Sequence, residues 1–254
     1  MTPLFSIITV TYNAADTLPA TLSSVKEQSC KQYEYIVMDG VSKDNTVDLA
    51  KAANIHNARI ISSPDKGLYD AMNKAIDEAT GEYLIFLNAG DAFHSPDTLQ
   101  KIADSITAND FPGIVYGQTQ LVNANRQRIG DRHLTAPESL TVQSFAQGML
   151  VCHQAFIASR KIAQHYDLSY RFSADYEWCI RCLQQSKNNV YIPHTIIDYL
   201  SEGLTTANRK ASLKERFKIM CHYYGTIPTI VRHLKFIPRF LKQRRKDKNA
   251  SQNS

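Results

Sequence analysis

By its pattern the sequence is an α/β protein with a mostly parallel sheet covered by helices. Three features lead there. Strand-like and helix-like runs alternate along the first 110 or so residues, each helical run carries one apolar stripe, and acidic or amide residues follow directly on the strand-like runs. Phe5-Ser-Ile-Ile-Thr-Val-Thr11 is rich in β-branched residues and predicts a first strand. From Asp16 to Gln28 the residues Leu18, Leu22 and Val25 recur at helical spacing, so a helix returns over the sheet. Tyr35 to Met38 predicts a second strand, Ser42 stands where it could cap a helix running to about Ala53, and Ala58 to Ile61 predicts a third strand. Between Gly67 and Ala79, Leu68, Met72, Ala75, Ile76 and Ala79 share one helical face, and Gly81 ends that helix before the strand Tyr83 to Leu87. Ser95-Pro96 opens another helix, with Leu99, Ile102, Ala103 and Ile106 aligned.

Beyond about residue 113 the strict alternation fades. Gly113 to Val122 is strand-like, Asn123 to Arg132 polar and Gly148 to Ala158 apolar, and a later helical pattern puts Tyr176, Cys179, Ile180 and Leu183 on one face. On this reading residues 1–204 form one domain with halves 1–112 and 113–204, and residues 205–254 are a basic helical extension.

The 254 residues are 43% apolar and 21% charged, with 10 Gly and 9 Pro, which excludes collagen-like, low-complexity and largely disordered chains. No apolar run reaches the roughly 18 residues of a membrane helix. The N-terminus lacks the layout of a signal peptide, and five unevenly spaced cysteines argue for a reducing compartment, so a cytoplasmic chain is expected. The net charge of +5 conceals an asymmetry, because residues 205–254 hold 13 Lys/Arg against 2 Asp/Glu and residues 1–204 hold 16 against 22. A basic tail on an acidic body suggests an anionic surface as its partner. On a helical wheel over residues 229–243, Ile230, Leu234, Ile237 and Leu241 lie opposite Arg232, Lys235, Arg239 and Lys242, followed by the cluster Lys242 to Lys248. That pattern suits a helix in an anionic membrane surface, and equally a helix packed on the body. No nucleic-acid recognition module is visible, and no nucleic-acid partner is expected.

In sheets of this kind ligands bind beyond the carboxyl ends of the strands. The residues there are Tyr12 and Asn13, Asp39, Ser63 to Lys66, and Asn88 to Asp91, so Asp39 and Asp91 are expected to face one crevice. Neither G-x-G-x-x-G nor G-x-x-x-x-G-K-[ST] occurs, which removes dinucleotide and P-loop readings. Cys179 and Cys182 have ligand spacing but fall inside a helical pattern without a second pair, so zinc is not expected.

The runs Thr9-Val-Thr-Tyr-Asn13, Val37-Met-Asp-Gly-Val-Ser-Lys-Asp-Asn-Thr46, Ser63-Pro-Asp-Lys-Gly-Leu-Tyr-Asp-Ala-Met-Asn73 and Phe86-Leu-Asn-Ala-Gly-Asp91 resemble, in order, the motifs of the GT-A family 2 glycosyltransferases. Cys152 to Phe156 and Ser173 to Glu177 resemble the acceptor half of the branch that builds bacterial capsule, O-antigen and exopolysaccharide. The resemblance implies a GT-A, Rossmann-like fold. It also implies transfer of a sugar from a nucleotide-diphospho-sugar to a hydroxyl of a growing, lipid-linked saccharide, by inverting single displacement, and the basic tail would then seat the chain at the inner face of the cytoplasmic membrane.

By the same resemblance Asp39 accepts a hydrogen bond from the nucleobase, with Thr11, Tyr12 and Asn13 beside it on the donor. Asp65, Lys66, Gly67, Asp70 and Asn73, around the start of the third helix, would face phosphates, ribose or sugar, as would Asn88, and helix-end amides favour such oxygens. Asp91 would bind Mg²⁺ or Mn²⁺ bridging the two phosphates, although Asn88-Ala-Gly-Asp91 lacks the upstream aspartates of a full D-x-D. Asp175 would be the general base, with Ala174 where the family has Glu and Glu177 in reserve, and His153 and Gln154 would donate to phosphate or acceptor. Each has a structural alternative: a turn or helix cap for Asp39, Asp91 and Asp175, a satisfied core residue for His153. A membrane-surface binding protein on a degenerate transferase scaffold is the second functional reading.

Overall fold

The computed structural model describes residues 2–201 and 209–234. In chain order the elements are β1 (Phe5–Thr11), α1 (Leu18–Lys26), β2 (Tyr33–Asp39), α2 (Thr46–Ala52), β3 (Ala58–Ser62), α3 (Leu68–Glu78), β4 (Tyr83–Phe86), β5 (Ala92–Phe93), α4 (Thr98–Ala108), β6 (Ile114–Val122), β7 (Arg128–Asp131), β8 (Phe156–Ser159), α5 (Ala174–Gln185), β9 (Asn189–Leu200) and α6 (Arg209–Tyr224). Among the described residues the strands join in the order β3-β2-β1-β4-β8-β6-β9-β5, with β7 on β6. The first half, β3-β2-β1-β4, is parallel. In the second half β8 runs antiparallel to β4 and β6, β9 runs parallel to β6, and β5 is antiparallel to β9.

The parallel half follows from local periodicity. β1, β2 and β4 are buried along their whole length, because helices cover both faces and leave no polar side to alternate with. Leu18, Leu22 and Val25 of α1 and Leu99, Ile102, Ala103 and Ile106 of α4 are buried as their spacing predicts. The register then sets the functional end: Thr11 of β1 lies beside Asp39 of β2, and Asp39 beside Ser62 of β3, so three polar side chains finish three adjacent strands at one level.

Two expectations need correction. Ser42 caps no helix; α2 starts at Thr46, and Ser42 instead turns to Asp39 and Asn13. A buried carboxylate demands donors more strongly than an exposed helix end does. Leu68 shares the stripe of α3 but is exposed, since it opens the helix at the rim of a cavity. β9, with twelve residues the longest strand described, has no clear period in the sequence because its pairing with β6 shifts register between Gly117 and Thr119.

α6 packs on the body. Ile219 is fully buried, Glu215 accepts the backbone N–H groups of Arg171 and Phe172 at 2.9 and 2.7 Å, and the Tyr223 hydroxyl donates to Glu177 at 2.6 Å. A further helical segment, 226–234, follows. There Ile227, Ile230, Val231 and Leu234 are exposed while Arg232 lies over the Tyr224 ring. The remaining wheel positions Lys235, Ile237, Arg239, Leu241 and Lys242, and the cluster to Lys248, lie outside the described residues.

Candidate active site

The strand ends build the site in two adjoining parts. At the first, Asp39 is completely buried and accepts four hydrogen bonds: from Thr11 Oγ1 at 3.0 Å, from the Ser42 backbone N–H at 3.0 Å and its hydroxyl at 2.5 Å, and from Ser62 Oγ at 2.7 Å. Burial alone would raise its pKa, but the bonds from Ser42, Ser62 and Thr11 together hold it below the ordinary carboxylate value, so it is an anion at neutral pH. Asn13, at a positive φ of 49°, ties the loop after β1 to the loop after β2: its N–H donates to Ser42 Oγ and its side-chain oxygen accepts the Lys43 N–H, both at 2.8 Å. Tyr12 is 62% exposed beside this pair. A side chain on Gly40 would collide with the Asp65 carboxylate, so the bare glycine leaves room for Asp65 against the turn that follows Asp39.

Asp65 in turn shapes the start of α3. Its Oδ1 accepts the Gly67 N–H at 2.8 Å, and Gly67 stands at φ +117°, a backbone conformation that L side chains rarely adopt. Asp70 accepts the Lys66 N–H at 3.0 Å, closing the first turn, and that bond holds its carboxyl below the usual range. Asn73 is spent elsewhere. Its amide donates to the Tyr166 carbonyl at 3.0 Å and accepts the Tyr166 N–H at 2.6 Å, clamping α3 to the segment before α5.

The second part is a cavity of about 880 Å³ whose walls include Lys66, Gly67, Asp70, Asn88, His153, Gln154 and Asp175. The turn from Asn88 to Asp91 is held by Thr21 of α1, whose hydroxyl accepts the Gly90 N–H at 2.9 Å and donates to the Asp91 carbonyl at 2.7 Å. Asp91 is 4% exposed, and its two oxygens accept the Leu200 N–H at 2.9 Å and Gln154 Nε2 at 2.7 Å. Burial pushes its pKa up to about 7, against the opposing pull of those two bonds and of Arg126. Asn88 Oδ1 is buried and has no hydrogen-bond partner among the described residues.

These residues fit a divalent cation. A hard cation takes oxygen ligands and is commonly held by one or two carboxylates plus substrate phosphates. Asp91 supplies a carboxylate with a lone pair left on each oxygen, and Asn88 an orphaned carbonyl. No group of three or more His, Cys, Asp or Glu able to hold a metal occurs among the described residues, so phosphates would have to complete the shell.

Asp175 stands in the first turn of α5, half-buried on the cavity wall. Its Oδ1 accepts the Tyr69 hydroxyl at 3.1 Å and the Tyr176 N–H at 2.8 Å, and among the described residues no donor meets Oδ2. Burial, and then the Asp175 charge, raise the Tyr69 pKa well above 10, so Tyr69 keeps its proton and donates. His153 also lines the cavity, with Nε2 2.7 Å from the Tyr166 hydroxyl and its ring packed against Phe86 and Trp178. Burial pushes its pKa down to about 4, so it is neutral and carries no charge for a phosphate. Gln154 is engaged at both ends, by Asp91 and by the Cys152 thiol.

The structure thus gathers seven of the expected residues around the cavity and places Thr11, Tyr12, Asn13, Asp39 and Asp65 at the neighbouring strand ends. Asn73 lines neither part, and Asp91 is buried and bonded to Gln154 of the cavity wall. Missed from the sequence were Thr21, a polar residue on an otherwise apolar helical face, and three cavity arginines, Arg132, Arg171 and Arg216. Thr21 could have been noticed as a break in the stripe of α1; Arg216 was hidden in the overall charge of the tail.

Comparison with known proteins gives consistent results. The profile of the family described as Glycosyl transferase family 2 matches residues 6–167, ending before Asp175. A PGL/p-HBAD biosynthesis glycosyltransferase of Mycobacterium tuberculosis (strain ATCC 25177 / H37Ra) is 34% identical over 206 residues, covering 79% of this chain and 77% of that protein. A putative teichuronic acid biosynthesis glycosyltransferase, TuaG of Bacillus subtilis (strain 168), is 30% identical over 152 residues, 59% of each chain. Among solved structures, S. aureus TarS 1–349 in complex with UDP-GlcNAc superposes with a TM-score of 0.69 at 16% identity, covering 91% of this chain and 73% of that one. The mannosyltransferase PcManGT from Pyrobaculum calidifontis in complex with GDP-Man and Mn²⁺ gives 0.63 at 14% identity, covering 98% and 81%. At these identities the structural likeness concerns the fold.

Proposed function

The chain belongs to glycosyl transferase family 2, and from that premise we propose that it moves one sugar from a nucleotide-diphospho-sugar to a hydroxyl of a lipid-linked saccharide, with inversion, in cell-surface polysaccharide or glycolipid synthesis. The observation that carries this reading is that Asp175 and Asn88 line one cavity, with buried Asp91 bonded to Gln154 of the same wall. A base and a leaving-group site must flank the reacting carbon. Asp175, oriented through Oδ1 by Tyr69 and Tyr176, takes the proton of the attacking hydroxyl on Oδ2.

The donor lies across the other part. Asp39 meets the nucleobase, whose N–H takes the place of one of the rotatable Ser42 or Ser62 hydroxyls. Exposed Tyr12 offers a ring face to the base, and Asp65, Lys66, Gly67 and Asp70 line the path of ribose and phosphates. Asn88 and Asp91 would hold Mg²⁺ or Mn²⁺, which when bound offsets the charge of the departing diphosphate as a Lewis acid. His153, Gln154 and Asn73 act by position: they fix Tyr166, Asp91 and the base of α3. Similar folds hold UDP-GlcNAc and GDP-Man, so the donor is sought first among UDP- and GDP-sugars.

Among the described residues no helix is long and apolar enough to cross a membrane. The exposed Ile227, Ile230, Val231 and Leu234, followed by a strongly basic sequence, support seating of the C-terminal region on an anionic membrane surface, where a lipid-linked acceptor would be found.

The test is a panel of nucleotide-sugars with Mn²⁺, read by calorimetry and by transfer to an extract of lipid-linked acceptors, for the native chain and Asp175→Asn. Asp175→Asn should lower transfer by about 10²-fold or more while nucleotide affinity stays within about twofold. Absence of any nucleotide binding by the native chain would refute the transferase reading in favour of a degenerate scaffold. Full activity of Asp175→Asn would remove Asp175 as the base.

A further inference from the structure

Resting on the transferase reading, we infer that the acceptor carries an anionic group, a phosphate or a carboxylate, and that Arg216 binds it beside the hydroxyl under attack. Arg216 comes from α6 and lines the same cavity as Asp175. Its Nε–H is buried and has no hydrogen-bond partner among the described residues. None of the ion pairs formed by the described residues includes it. Its guanidinium carbon stands 6.0 Å from the centre of the Tyr176 ring, so the planar group rests against an aromatic face while its N–H edge remains for a ligand.

A second guanidinium repeats the arrangement. Arg232, from segment 226–234, stands 5.8 Å from the Tyr224 ring centre, and its Nη1 is buried with no hydrogen-bond partner among the described residues. Burial raises the pKa of the Tyr176 phenol, and both arginines pull against that rise. A guanidinium with a buried N–H group left unsatisfied is costly to fold unless a ligand completes it. Arg132 and Arg171 also line the cavity and add to its positive charge.

The position of Arg216 assigns this anion to the acceptor. α6 is joined to the helix of the base by the Ser173–Ser212 and Tyr223–Glu177 hydrogen bonds, so Arg216 and Asp175 belong to one wall. The residues proposed for the donor diphosphate, Asn88 and Asp91, come instead from the loop after β4 and are tied to α1 and β9. A charge-assisted, two-pronged contact from an arginine is the usual means of recognising phosphate or carboxylate oxygens.

The experiment uses the full chain saturated with whichever nucleotide diphosphate it binds, titrated with saccharide pairs that differ only in charge: N-acetylglucosamine against N-acetylglucosamine 1-phosphate, and glucose against glucuronic acid. Binding is read by ligand-observed NMR. At least one charged member should bind about tenfold or more tightly than its neutral partner, the phosphate and uronate arms telling which anion is meant. Arg216→Gln should erase the preference, and Arg216→Lys should keep only part of it, with nucleotide affinity within about twofold in both. If Arg216→Gln does not fold, as judged by its thermal transition, Arg216→Lys carries the test. No charge preference in the native chain, including no binding by either member of every pair, overturns the inference. So does a loss of nucleotide affinity in the Arg216 variants that matches the loss of preference, since the guanidinium would then serve the donor. A native chain that binds no nucleotide fails the transferase reading first, a result distinct from both.

Discussion

Replacing Asp91 by Asn tests whether the carboxylate after β4 is kept against the cost of burying it. In the folded chain its pKa stands at about 7, whereas an unfolded aspartate titrates at about 3.9. As the pH rises the unfolded chain therefore releases this proton first. The contribution of Asp91 to stability is fully present below about pH 4 and is lost as the pH climbs through about 7. A gap of roughly 3 pKa units corresponds to about 4 kcal/mol. Asparagine is neutral throughout and escapes that penalty, but its amide nitrogen faces Gln154 Nε2 where a carboxylate oxygen accepted it, a loss of about 1 kcal/mol. Asp91→Asn is thus expected to be about 3 kcal/mol more stable than the native chain at pH 8 and about 1 kcal/mol less stable at pH 4. Urea unfolding of both proteins from pH 4 to pH 8 at constant ionic strength measures the difference. Adding Mn²⁺ with a bound nucleotide diphosphate should stabilise the native chain at pH 8 and leave the variant almost unmoved. A stability difference that stays flat across this pH range would refute the desolvation argument.

Two further substitutions separate contact from position. Tyr69→Phe removes the hydroxyl that orients Asp175 from 3.1 Å and should lower kcat by about tenfold with little change in donor KM; a raised KM at unchanged kcat would instead make Tyr69 a binding residue. Asn73→Ala strips both hydrogen bonds from the Tyr166 backbone and should cost about 3 kcal/mol in chemical denaturation without changing nucleotide affinity; unchanged stability with a tenfold weaker donor would show that Asn73 meets the donor after all.

Legibility differs from one part of the chain to another. Leu18, Leu22 and Val25, or Leu99, Ile102 and Ile106, announce their helices because a face buried against a sheet imposes a period on a stretch shorter than twenty residues. β5 has two residues and β9 changes register along its partner, so neither leaves a period to read. Ser42 shows how a local signal misleads: its place before a helix fits a cap, but Asp39, three residues back and buried, claims it. The C-terminal helix misleads differently, since its basic composition reads as a tail property while Ile219 and Arg216 turn inward.

What the sequence alone determined was the alternation of strand and helix, the order of the family's motifs and the kinds of group set at the strand ends. Only the tertiary structure decided the state of each functional group: Asp39 ionised under four donors, Asp91 pushed toward neutrality, His153 discharged, Asn73 spent on backbone, Arg216 without an ion pair among the described residues. The physical reason is one of range. A period records burial of a face by near neighbours in sequence, whereas the charge state of a carboxylate depends on desolvation and donors from afar, such as the Leu200 N–H that meets Asp91.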